Sequence, residues 1–170
     1  MIVSAAKKLD ACLIENIFSN CFAENFHTRL VGGAEEPLYL PETGHSHAEI
    51  HYRSDYRRSA LHEIAHWCVA GPLRRGLTDY GYWYSSDDRD STKQAAFFCV
   101  EAKPQALESL FCEAAGIAFT ESVDNLSLDI PQSMLVQFEN RLRRERNQFQ
   151  KNGLPKRAAL FSQALRQARQ

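Results

Sequence analysis

Apolar residues recur at helical spacing from the start of the chain: Leu9, Leu13, Ile14, Ile17 and Phe18 form one stripe, and a helix is expected over residues 4–22. The period then changes. Asn25 to Val31 reads as a strand, and Gly32 to Gly44 reads as a loop, with its Gly-Gly pair, prolines and acids. From His45 to Tyr52 the period is two, so that His47, Glu49 and His51 face one way and Ala48, Ile50 and Tyr52 the other. Ser54 or Asp55 is placed to cap a helix from about Tyr56 to Ala70, which Gly71-Pro72 closes. Asp90 or Ser91 caps a helix through Ala102, and Pro104 to Ala115 continues it or starts another, with Gly116 at its end. Either way Glu101, Gln105, Glu108 and Cys112 share a face. Phe119 to Ile130 is irregular or a short strand.

Pro131 opens a helix to about Gln150, with Met134, Leu135, Phe138 and Leu142 inward. After the turn Asn152-Gly153-Leu154-Pro155, a last helix from Lys156 to Ala168 turns Leu160, Phe161 and Leu165 inward. These two helices are expected to pair as a hairpin with a basic outer surface. The elements add up to an α+β fold, a mostly helical single domain with a small sheet.

At 170 residues and 44% apolar composition, the chain can build one ordinary core. Its net charge of −1 hides an asymmetry, because from Arg141 onward nine Lys/Arg face Glu145 alone. That end carries +8, which leaves −9 on the first 140 residues. A basic end suits an acidic macromolecular partner, though two solvated helix faces would give the same count. The five cysteines (12, 21, 68, 99 and 112) are odd in number and lack C-x-x-C spacing, which points to reduced thiols in a cytoplasmic protein. The N-terminus has no secretory pattern and no apolar run approaches membrane length, so a secreted peptidase is disfavoured.

The chemistry concentrates at His62-Glu63-Ile64-Ala65-His66. In a helix, two histidines four apart leave one face a turn apart, and both can bind one metal ion. Glu63 is then the candidate catalytic residue, within reach of a water on that metal. The pattern is the zinc-peptidase signature. Two histidines and a distant carboxylate equally make the facial triad of a non-haem iron enzyme. Glu101, Glu108 and Glu113 are the candidate third ligands. Glu101 is preferred because it follows the apolar run Phe97-Phe98-Cys99-Val100, and a buried carboxylate needs a cation or a hydrogen bond. Glu108 and Glu113 read as solvated or capping positions. His47-Ala48-Glu49 matches the H-x-[DE] pair of jelly-roll iron oxygenases, but no histidine follows His66 to complete that set. His47, Glu49 or His51 instead reads as support for the ligands or for a substrate. The cluster Tyr80-Gly81-Tyr82-Trp83-Tyr84, flanked by acids, can wall a pocket and hold a cationic side chain.

Three stretches extend well beyond H-E-x-x-H: LHEIAHWCVAGPLRRGLTDYGYWY from Leu61, FFCVEAKPQALE from Phe97, and Ala-Ala-Gly at 114–116. Together they resemble the bacterial elongation factor P hydroxylase family, over nearly the whole chain. The resemblance implies one metal-dependent hydroxylase domain over 1–170 with a zincin-like core around the HExxH helix. It implies Fe(II) held by His62, His66 and Glu101, although another divalent metal can occupy such a site, with dioxygen as cosubstrate. It also implies hydroxylation of the β-lysylated lysine of elongation factor P, an acidic protein partner, with no direct nucleic acid or membrane partner. Glu63 would then sit beside the ligands, and Tyr80, Tyr82, Trp83, His47 and His51 would meet the substrate. The alternative is a zinc peptidase of the HExxH…E type, in which Glu63 is the general base.

Overall fold

Asp10 turns its carboxylate back onto the Leu13 N–H at 2.9 Å and starts α1 (Ala11–Phe26), which buries Ile14, Ile17, Phe18 and Phe22. The helix expected over 4–22 therefore begins at this cap and runs on to Phe26. The computed structural model describes residues 9–82, 89–125 and 128–170, so residues 4–8 of that expectation lie outside the described residues. Next come β1 (Thr28–Ala34), β2 (Leu38–Leu40) and β3 (Ala48–Arg53), in a sheet ordered β1-β3-β2. β1 runs parallel to β3 and β2 antiparallel to it.

The Gly-Gly pair lies in β1 and not in a loop. A Cβ on Gly32 would stand 2.7 Å from the Tyr52 hydroxyl, so only glycine lets these strands meet there. Gly33 has φ +87° beside the register shift between Val31 and Ala34. Three residues of the expected loop also pair as β2. The alternation in β3 holds, with Ala48, Ile50 and Tyr52 buried and Glu49 and His51 on the other face.

α2 (Arg57–Val69) packs against β3 and carries the histidine pair. Neither Ser54 nor Asp55 caps it. Ser54 is held in a left-handed turn by a bond from its N–H to the Ala34 carbonyl, and Tyr56 precedes the helix without a side-chain cap. A short α3 (Pro72–Arg75) and a 3₁₀ turn (Thr78–Gly81) follow. α4 (Ser91–Ala115) is one helix, capped by Asp90 and ended by Gly116 in the left-handed region. It passes through Pro104, which has no N–H to offer the Val100 carbonyl.

α5 (Gln132–Asn152) and α6 (Lys156–Ala168) depart from the expected hairpin. α5 lies along α4, whereas α6 packs on both α4 and α1. Their apolar faces were correctly located in the pattern, but both are satisfied by α4 rather than by each other. Phe161 and Leu165 are buried, and Leu160 is exposed, contrary to expectation. The main core is an aromatic cluster in which Phe18, Phe22, Trp67, Phe111 and Phe161 meet at centroid distances of 4.9 to 6.3 Å, mostly edge to face. A smaller cluster of Phe97, Phe98, Ala102 and Phe138 ties α5 to the first half of α4. Among the described residues no helix is long and apolar enough to cross a membrane.

Candidate metal centre

α2 and α4 lie side by side, and each presents one turn of polar residues to the other within an apolar surround. From α2 come His62 and His66, with their Nε2 atoms 3.1 Å apart. From α4 comes Glu101, with Oε2 3.4 Å from His62 Nε2 and Oε1 3.2 Å from His66 Nε2. Ligand bonds of about 2.1 Å to one ion place neighbouring donors roughly 3.0 to 3.4 Å apart, and these contacts fall in that range, the two from Glu101 through its two different oxygens. Among the described residues, these three form the one group of His, Cys, Asp or Glu able to hold an ion together.

The second face of His62 is also fixed. Its Nδ1 stands 3.0 Å from Glu108 Oε2, so Nδ1–H donates and the Nε2 lone pair points toward His66 and Glu101. Glu108 is itself held by Arg58, whose Nε and Nη2 reach Oε1 at 3.1 and 2.7 Å. On the Glu101 side, Gln105 Nε2 lies 3.5 Å from Oε2 and donates to the Ser122 carbonyl at 2.8 Å.

The electrostatics select for positive charge. Burial works against an imidazolium at His62, but the hydrogen bond to Glu108 and the charges of Glu101, Glu108 and Glu63 outweigh it and lift its pKa to about 10. Burial would also push the Glu101 carboxyl up, yet the neighbouring His66 and His62 and the bond from Gln105 bring it to about 2. Glu63 is raised by burial, with His62 and His66 opposing. Two imidazole nitrogens and the Glu101 carboxylate are a donor set of mixed nitrogen and oxygen, suited to a divalent transition metal. The residues fit such an ion.

A cleft of about 440 Å³ opens beside His66, walled by Tyr80 and Tyr82 on one side and by Val100, Lys103 and Pro104 of α4 on another. Tyr80 is buried, stacked on Tyr39 at 4.3 Å, with its ring 6.4 Å from that of His66. Its backbone and that of Asp79 are left-handed, a conformation held by bonds from Tyr39 N to Asp79 Oδ1 and from Arg74 Nη1 to the Tyr80 carbonyl. Arg74 stacks on Tyr82 at 4.3 Å.

The predicted residues thus separate into groups. His62, His66 and Glu101 converge, Glu63 lies on the same helix beside them, and Tyr80 and Tyr82 line the cleft. Trp83 lies outside the described residues, as do the acids at 87 and 88. The cleft wall that is described carries the cations Arg74 and Lys103 instead of acids. His47 and His51 are set apart from the centre. His47 precedes β3 with its ring 5.6 Å from that of His27, and His51 pairs with Glu49 on the sheet face turned away from α2. Glu108 overturns its reading as a solvated position, because it is buried against Arg58 and His62. The shared face of Glu101, Gln105 and Glu108 was the available signal for it. Glu113 is exposed and pairs with Arg146.

A family model described as elongation factor P hydroxylase matches residues 17–170. The chain belongs to the elongation factor P hydroxylase family. A relative from Haemophilus influenzae, named elongation factor P lysine hydroxylase, is 43% identical over 150 residues, covering 88% of this chain and 83% of the relative. Neither comparison supports the peptidase alternative. A hydroxylase family also gives the convergence of His62, His66 and Glu101 a coherent setting as a candidate metal site.

Proposed function

We propose that this protein hydroxylates a lysine side chain of elongation factor P, using iron(II) held by His62, His66 and Glu101 in one zincin-like domain spanning the chain. The observation that carries the reading is the coincidence of the family match over residues 17–170 with a buried two-histidine, one-carboxylate triangle. Iron bound there supplies the reductive activation of dioxygen, one atom of which ends on the lysine as hydroxyl and the other as water, with two electrons from an external donor.

The chain's own residues orient and enclose. Glu108, fixed by Arg58, keeps His62 in the tautomer that turns Nε2 inward. Gln105 steadies Glu101. Glu63, whose carboxyl is pushed up by burial against the pull of His62 and His66, lies beside the ligands. Tyr80 and Tyr82 line the cleft and offer ring faces to the methylenes of a lysine side chain. The basic end suits an acidic protein substrate. Five free cysteines fit a reducing, cytoplasmic setting.

The test is the intact mass of β-lysylated elongation factor P after incubation with anaerobically iron-loaded protein and then air. A gain of one oxygen atom that His66→Ala abolishes is expected. An unchanged mass alongside cleavage of a peptide library by the zinc form would overturn the reading.

A further inference from the structure

Among the half-buried or buried arginines of the described chain, Arg57 and Arg169 bond backbone carbonyls, and three have a carboxylate: Arg58 has Glu108, Arg89 has Asp124 and Arg146 has Glu113. Arg75 and Arg157 have no such carboxylate. Both guanidinium groups lie over the same two rings, Arg75 at 5.9 Å from Phe26 and from Trp67, and Arg157 at 5.8 and 4.3 Å. Neither pairs with a described carboxylate, and each has a buried nitrogen, Arg75 Nε and Arg157 Nη1, with no acceptor. Arg157 Nη2 is spent on the Cys68 and Ala70 carbonyls at the end of α2. Burial and the charge of Arg75 both depress the Arg157 pKa.

Two like charges brought together without a counter-charge cost free energy, and the rings offset only part of it. An oxyanion would neutralise the pair, and guanidinium forks match a carboxylate in geometry. The place lies at the surface, where both arginines are part-exposed and Phe26 is 36% exposed. It also adjoins the cleft, whose wall includes Ala70 and Arg74.

We propose that Arg75 and Arg157 form an oxyanion-binding site that takes a carboxylate side chain of the protein substrate as its lysine enters the neighbouring cleft. The identity of that partner rests on the function proposed above, whereas the anion site itself does not.

The test uses iron-loaded wild type, Arg75→Gln and Arg157→Gln in two measurements at matched ionic strength. One is the thermal midpoint in sodium glutarate against sodium chloride. The other is the kinetics of hydroxylation of β-lysylated elongation factor P. Arg157→Gln also strips bonds from the α2 end and risks the fold. Arg75 donates no side-chain hydrogen bond among the described residues, so Arg75→Gln keeps the question open to experiment. Glutarate should raise the wild-type midpoint and leave Arg75→Gln unmoved, and Arg75→Gln should raise KM about tenfold with kcat retained. If glutarate gives no specific stabilisation of wild type, the site is refuted. If it does, but KM is unchanged in Arg75→Gln, the site takes a free anion and the substrate carboxylate is refuted. If wild type shows the glutarate effect but never hydroxylates the factor, the anion site stands and the proposed function falls.

Discussion

Two histidine–glutamate pairs in this protein look alike on a list of contacts. His51 meets Glu49 at 2.8 Å on β3, and His62 meets Glu108 at 3.0 Å between α2 and α4. The two imidazoles are even equally exposed, at 23%. The difference lies in what surrounds them. Glu49 is 37% exposed, while Glu108 is 3% exposed and clamped by Arg58. The second nitrogen of His62 faces His66 and Glu101, and His51 has no comparable convergence. A histidine–carboxylate bond becomes part of a metal centre when the carboxylate is immobilised and the far nitrogen has company.

Substitutions can break or sharpen that contrast. His66→Ala removes a proposed ligand, and iron content and hydroxylation should both fall by well over a hundredfold, read by metal analysis of the purified protein and by the mass assay. Glu108→Gln leaves all three ligands but loosens the His62 tautomer. Iron affinity should drop about 10- to 100-fold by competition with a chelator. Arg58→Ala acts one bond further out, and the same titration should show a loss below about tenfold. His51→Ala at the surface pair should change iron affinity less than about twofold and stability by no more than about 0.5 kcal/mol in a urea melt. A loss from His51→Ala as large as from Glu108→Gln would erase the distinction between the two pairs.

The centre was more legible than the fold around it, for reasons that particular residues make plain. His62 and His66 announce themselves because helical spacing is local. Glu101 could be singled out because the apolar run before it signals burial. Glu108 had only its shared face with Glu101 to mark it, since its burial depends on Arg58, 50 positions away in the chain. The same blindness to distant partners explains α5 and α6. Their apolar stripes were visible, but nothing in either stripe says that α4 would satisfy both. β2 was hidden by its three-residue length and by the glycines and prolines around it, and Gly32 reads as a loop residue unless one knows that Tyr52 lies against it.

β2 is an edge strand, and the N–H of Tyr39 at its middle is donated to Asp79 Oδ1 at 2.8 Å. A stretched polypeptide that tried to lie lengthwise against this edge would find its central donor already taken. β2 therefore offers an approaching chain no free backbone donor at its middle, and contact at this edge falls to side chains rather than to strand pairing.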